Sequence, residues 1–153
     1  MTTPPTALTP PWLRPIDSIR QLLARFPLSL VQLVMRIAIG AVFFSAGLLK
    51  YRSWELTLFL FRDEYHVPFM DPALVTQMAT FNELTFSTLL FLGLATRLAT
   101  LPFVGMIAVI QTFVYPEAWN EHLLWASILL FLLTRGPGVL SLDHLVARRF
   151  GAE

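Results

Sequence analysis

Two apolar runs, residues 28–49 and 72–92, are each long enough to cross a bilayer, and each carries one charge near its middle, Arg36 in the first and Glu83 in the second. About 20 helical residues, rising 1.5 Å each, cross a hydrocarbon layer of roughly 30 Å. An isolated ionised group at that depth costs roughly 3 kcal/mol or more, so both side chains are expected to face protein and to have partners.

Composition points to the same class. Hydrophobic residues make up 56% of the chain and charged residues only 14%, with a mean hydropathy of +0.64, whereas a soluble domain carries roughly 25% charged residues. Because backbone groups in lipid must bond internally, the runs are read as helices. The expected fold is all-α: an integral membrane four-helix bundle with short amphipathic helices at the interfaces. A chain of 153 residues holds one such bundle rather than two domains. A net charge of +1 provides no basic surface for nucleic acid. The chain has no cysteine, which excludes disulfides, thiol chemistry and thiolate-held metal. Any redox role would therefore take its electrons or thiols from a cofactor or partner.

Along the chain, residues 1–26 read as a proline-rich tail followed by an amphipathic surface helix, with Ile16, Ile19, Leu22, Leu23 and Phe26 on one face. Residues 27–144 form the expected four-span unit, and residues 145–153 a short tail. The first span, 28–49, is too long for a signal peptide and is followed by Lys50 rather than a cleavage site, so it is expected to remain. Residues 54–65 contain too short an apolar core to cross and are expected to lie at the interface or to re-enter it. Asp71-Pro72 reads as an N-cap with proline in the first turn of the second span. The third span covers 98–115 and the fourth apolar run 123–133, with Glu121 and His122 at its hydrocarbon boundary; Ser141 is expected to cap a short last helix.

Four spans place Arg14, Arg20, Arg25, Arg97, Arg135, Arg148 and Arg149 on one side and Lys50, Arg52 and Arg62 on the other. The excess of cations predicts that both termini are cytoplasmic in a multi-pass protein.

Gln32, Arg36, Gly40, Phe43, Gly47 and Lys50 share one stripe of the first span, while Thr76, Thr80, Glu83 and Ser87 share one stripe of the second. Facing stripes in antiparallel spans would bring Arg36 within about one turn of Glu83 in depth, making them a candidate ion pair. Such a pair either holds the helices in register or also lines a proton, quinone or substrate pocket. Gln111, in the outer third of the third span, is a candidate to complete a polar pocket with Glu121. Lys50, Asp63, Glu64, His66, Glu121 and His122 form a second, outer-side cluster. The two histidines could relay protons, ligate metal or make ordinary interfacial hydrogen bonds; their spacing matches no metal motif. Met70, Met78 and Met106 read as core packing. No nucleotide loop, nucleophile elbow or metalloprotease helix is present.

The segments Arg36-Ile37-Ala38-Ile39-Gly40, Ser45-Ala46-Gly47-Leu48-Leu49-Lys50, Glu83-Leu84, Leu92-Gly93-Leu94-Ala95-Thr96-Arg97 and Gly136-Pro137-Gly138-Val139-Leu140-Ser141-Leu142-Asp143 together resemble the DoxX family. The resemblance covers roughly residues 30 to 144 and implies a small four-helix protein of the bacterial inner membrane. It further implies an accessory role in a quinone-linked or thiol and oxidative-stress redox system, with quinone as the candidate cofactor. Arg36, Lys50, Glu83 and Arg97 match the family's recurring polar positions, and no established catalytic set accompanies them. The runs 61–68, 114–119 and 121–126 resemble a DoxX subgroup found beside metal-binding peptides. That implies the alternative of a non-enzymatic membrane adaptor or transport accessory in copper or metal homeostasis. Either role implies the lipid bilayer and a membrane or periplasmic protein as partners, and both leave homo-oligomer formation open.

Overall fold

The computed structural model describes residues 14–65, 67–68 and 70–151, and the regular elements among them are all helical. They are α1 (Arg14–Ala24), α2 (Leu28–Arg52), α3 (Trp54–Asp63), α4 (Pro72–Leu92), α5 (Thr96–Val109) continued by a π-helical turn (Ile110–Val114), α6 (Trp119–Arg135) and α7 (Leu142–Phe150). Local chemistry explains several of these boundaries. The Asp71 carboxylate accepts from the amides of Ala73 at 3.0 Å and Leu74 at 3.1 Å, with Pro72 in the first turn of α4. At the other end Gly93, with φ +66°, takes the left-handed conformation that stops the helix. Ser141 Oγ accepts from the amide of His144 at 3.2 Å and so opens α7, as its sequence position predicts.

α2 packs along α4, α4 on α5, α5 on α6, and α6 returns to α2, while α3 covers part of α4. The shared core consists of Ile39 and Phe43 from α2, Leu90 from α4, Ala99, Phe103 and Ile107 from α5, and Leu129 and Leu132 from α6. Phe43 stacks on Phe103 with ring centroids 4.2 Å apart, joining α2 to α5 across this core. The outer faces are apolar as well: Val34, Ile37, Phe81, Leu98, Leu123 and Leu130 are all exposed. Helices that are apolar all round suit a lipid environment. Among the described residues, Leu28–Arg52 and Thr96–Val114 are long and apolar enough to cross a membrane.

Glycines set the α2–α4 register. A Cβ at Gly40 would lie 2.7 Å from the Phe91 ring, and one at Gly47 would lie 2.7 Å from Glu83 Cβ. Each glycine therefore gives α4 a close seat on α2. In this register the end of α2 meets α4 only halfway along, at Glu83, and α3 packs on α4 with Phe61 beside the same cleft as Val75 and Met78. Matching the two helices centre to centre misses this offset. Arg36 consequently lies against Gly93, ten residues or roughly 15 Å further along α4 than Glu83. The expected Arg36–Glu83 pair does not form.

Arg36 serves the closing segment instead. It is fully buried, and its guanidinium donates through Nη1 to the Leu90 carbonyl at 3.3 Å and through Nη2 to the Leu140 carbonyl. Gln32 Nε2 donates to the carbonyls of Gly136 at 3.0 Å and Arg135 at 3.2 Å. The Asp143 carboxylate accepts from the amides of Ala95 at 2.6 Å and Thr96 at 2.9 Å, capping α5 from 47 or more residues away. Asp143→Ala is expected to lower stability by about 1–2 kcal/mol, since it orphans helix-start amides that Asn would partly satisfy. Unfolding of the two variants in detergent checks the order: alanine below asparagine below wild type.

Candidate functional site

The other end of α2 holds a polar centre of a different kind. Gly47 lets α4 approach so closely that Glu83, only 3% exposed, comes within reach of Lys50 one turn further along α2. Lys50 Nζ donates to Glu83 Oε1 at 2.7 Å. The second carboxylate oxygen, Oε2, is buried without a hydrogen-bond partner. A bare carboxylate oxygen in an apolar setting is an unfilled demand for a donor.

That carboxylate borders two clefts. The first, of about 800 Å³, lies beside α2, the π turn and the start of α6; Phe43, Lys50, Glu83, Glu121, His122 and Trp125 are among its walls. The second, of about 330 Å³, lies beside α3, α4 and α5. Lys50, Glu83, Ile110, Val114 and Tyr115 line both. The ion pair and the π turn therefore stand between the clefts as a common wall.

The π turn also positions the histidine. Widening the last turn of α5, which closes with Tyr115 N donating to the Ile110 carbonyl at 2.8 Å, places Gln111 opposite the start of α6; π-helical turns recur at functional sites. Gln111 Nε2 donates to the Pro116 carbonyl at 2.6 Å, which turns Oε1 towards His122 Nδ1, also 2.6 Å away. Since a carbonyl oxygen only accepts, Nδ1 carries the hydrogen, and the neutral tautomer so selected leaves Nε2 as an acceptor. His122 is 4% exposed and its ring leans on Trp125 with centroids 5.4 Å apart.

At the rim, Phe61, Tyr65 and Tyr115 make an edge-to-face row with centroids 5.1 and 5.7 Å apart, and the two tyrosine hydroxyls meet at 3.1 Å. Burial, and then the contact with Tyr115, raise the Tyr65 pKa and keep this phenol neutral.

The residues singled out in the sequence thus divide into separate groups. Arg36 and Gln32 belong to the clamp at the far end, while Glu83 pairs with Lys50. Gln111 bonds to His122 rather than to Glu121; Glu121 is exposed on the first cleft. Asp63 and Glu64 are exposed and line neither cleft. His66 lies outside the described residues. Met70 and Met78 are not core: they are 40% and 48% exposed and line the second cleft with Met106. Among the described residues no group of three or more His, Asp or Glu is arranged to hold a metal ion. Lys50 and Glu83 both lie on the two polar stripes, but helical periodicity does not pair them, because the pairing depends on the register that Gly47 sets.

The DoxX family model matches residues 31–116. An uncharacterized protein of Haemophilus influenzae is 29% identical over 128 residues, an alignment covering 76% of this chain and 83% of the relative. No solved structure matches the chain. The matched residues run from the start of α2 through the π turn and so contain Arg36, Lys50, Glu83 and Gln111; the chain belongs to the DoxX family.

Proposed function

We propose that this protein is a multi-pass subunit of the bacterial inner membrane that binds a hydroquinone in its larger cleft, as an accessory of a quinone-linked redox system. α2, α4, α5 with its π turn, and α6 are the four spans in this reading. Both termini are cytoplasmic, and the cleft opens near the outer boundary. The apolar outer faces of the helices and the excess of arginines at the Arg36 end support this placement.

The observation that carries the ligand assignment is the bare Glu83 Oε2. It and His122 Nε2 are acceptors, so the cleft favours a molecule bearing hydroxyl donors, with Lys50 beside them to bond an oxygen. Phe43 and Trp125 provide apolar and aromatic walls for a ring. A hydroquinone fits this description better than its oxidised form, whose carbonyls only accept. Oxidation of a hydroquinone to the quinone releases two protons and two electrons. Glu83 and His122 are placed to take protons, and the electrons pass to a membrane or periplasmic partner protein.

The test uses the full chain in lipid nanodiscs and a methyl-substituted hydroquinone, with binding read from tryptophan fluorescence. Glu83→Gln, shown to be folded by circular dichroism, is expected to weaken binding about 10- to 100-fold, the worth of one charged hydrogen bond. Wild type should prefer the hydroquinone to the quinone. If it binds neither, the assignment fails.

A further inference from the structure

The second cleft has no role in holding a ring, yet it meets the first at the unpartnered carboxylate. Apart from Asn82 and the hydroxyls of Tyr65 and Tyr115 its other walls are apolar, and three of the chain's five methionines, Met70, Met78 and Met106, line it. Methionine side chains are unbranched and adaptable, suited to a flexible aliphatic ligand rather than a rigid one. Gly105 lines the same space, and a Cβ added there meets no heavy atom within 4 Å. A glycine inside a helix is unfavourable by propensity. Here no neighbouring backbone needs the close approach, so its effect is to keep the cleft wide. Half-exposed Met78 and exposed Gly105 place this opening on α4 and α5, whose outer faces are apolar.

We infer that the second cleft receives the hydrocarbon chain of the ligand whose polar ring occupies the first, so that a single amphiphile straddles the Lys50–Glu83 pair. This rests on the hydroquinone reading and adds to it the class of ligand: a ring carrying a long alkyl or prenyl tail, entering from the lipid side. Continuity argues for one occupant, because Lys50, Glu83, Ile110, Val114 and Tyr115 belong to both walls. Size agrees: about 330 Å³ equals the volume of roughly ten waters, enough for a chain segment.

The experiment compares two probes, a decyl-substituted and a methyl-substituted hydroquinone, on the full chain in nanodiscs. Gly105→Leu fills the second cleft without touching the first. It is expected to weaken binding of the decyl probe at least about tenfold and to leave the methyl probe unchanged, since each buried methylene is worth several-fold in affinity. Met78→Phe narrows the same cleft from α4 and should give the same split. Comparing variant with wild type for each probe removes the probes' different partitioning into lipid. If wild type binds both probes and neither variant separates them, the cleft holds ordinary lipid chains and the inference falls while the ring site stands. If both folded variants lose both probes alike, the tail assignment falls as well. If wild type binds neither probe, the ring site fails and this inference with it.

Discussion

Lys50→Met is expected to destabilise the protein by about 3–5 kcal/mol, because it strands a carboxylate that is 3% exposed and already has one unpartnered oxygen. The double variant Lys50→Met with Glu83→Leu should recover most of that loss. Removing both charges removes the desolvation problem along with the attraction, and similar side-chain volume keeps α2 seated on α4. Unfolding in detergent across the cycle of single and double variants measures the coupling. Equal losses in both singles that simply add in the double would show that the 2.7 Å contact contributes no coupling. The double variant should also no longer bind hydroquinone. That result separates stability from function: the pair is dispensable for folding and indispensable for the ligand.

Arg36→Met is expected to be at least as damaging, about 3–5 kcal/mol, for a different reason. Arg36 has no charged hydrogen-bond partner among the described residues; it bonds the carbonyls of Leu90 and Leu140, the first at the end of α4 and the second in the segment before α7. Its loss leaves these acceptors without their donor and an arginine-sized space only partly filled. Lysine should not rescue it, since one ammonium cannot reproduce a fork that bonds two carbonyls. Gly93→Ala should act through the same contact, because a Cβ there would collide with the guanidinium and the backbone has φ +66°. Faster proteolysis after residue 135 in Arg36→Met would show that the closing segment has detached, whereas an unchanged cleavage pattern would count against the clamp.

Helix positions were legible in the sequence because hydrophobic length and capping chemistry act over a few residues. Asp71-Pro72 opens α4, Gly93 closes it, and Ser141 caps α7, all through groups within four residues of each boundary. α3 could likewise be recognised as too short to span. The polar stripes were legible too: Gln32, Arg36, Glu83, Thr76 and Thr80 are all buried, as helical periodicity requires. The identities of their partners were not. Periodicity gives the face of a helix and no axial offset against its neighbour, so Arg36 opposite Glu83 and Lys50 opposite Glu83 are equally consistent with it.

The amino-acid sequence alone determined that this chain is helical, suited to lipid and built around a few buried polar side chains, because these properties follow from residue-by-residue transfer free energies and local hydrogen bonding. The tertiary structure alone decided which charge meets which. Contact at Gly40 and Gly47 slides α4 along α2 until Glu83 reaches Lys50 and Arg36 reaches the closing segment. A helix slid along its neighbour by the ten residues that separate Glu83 from Gly93 would present the same stripes with every partner changed.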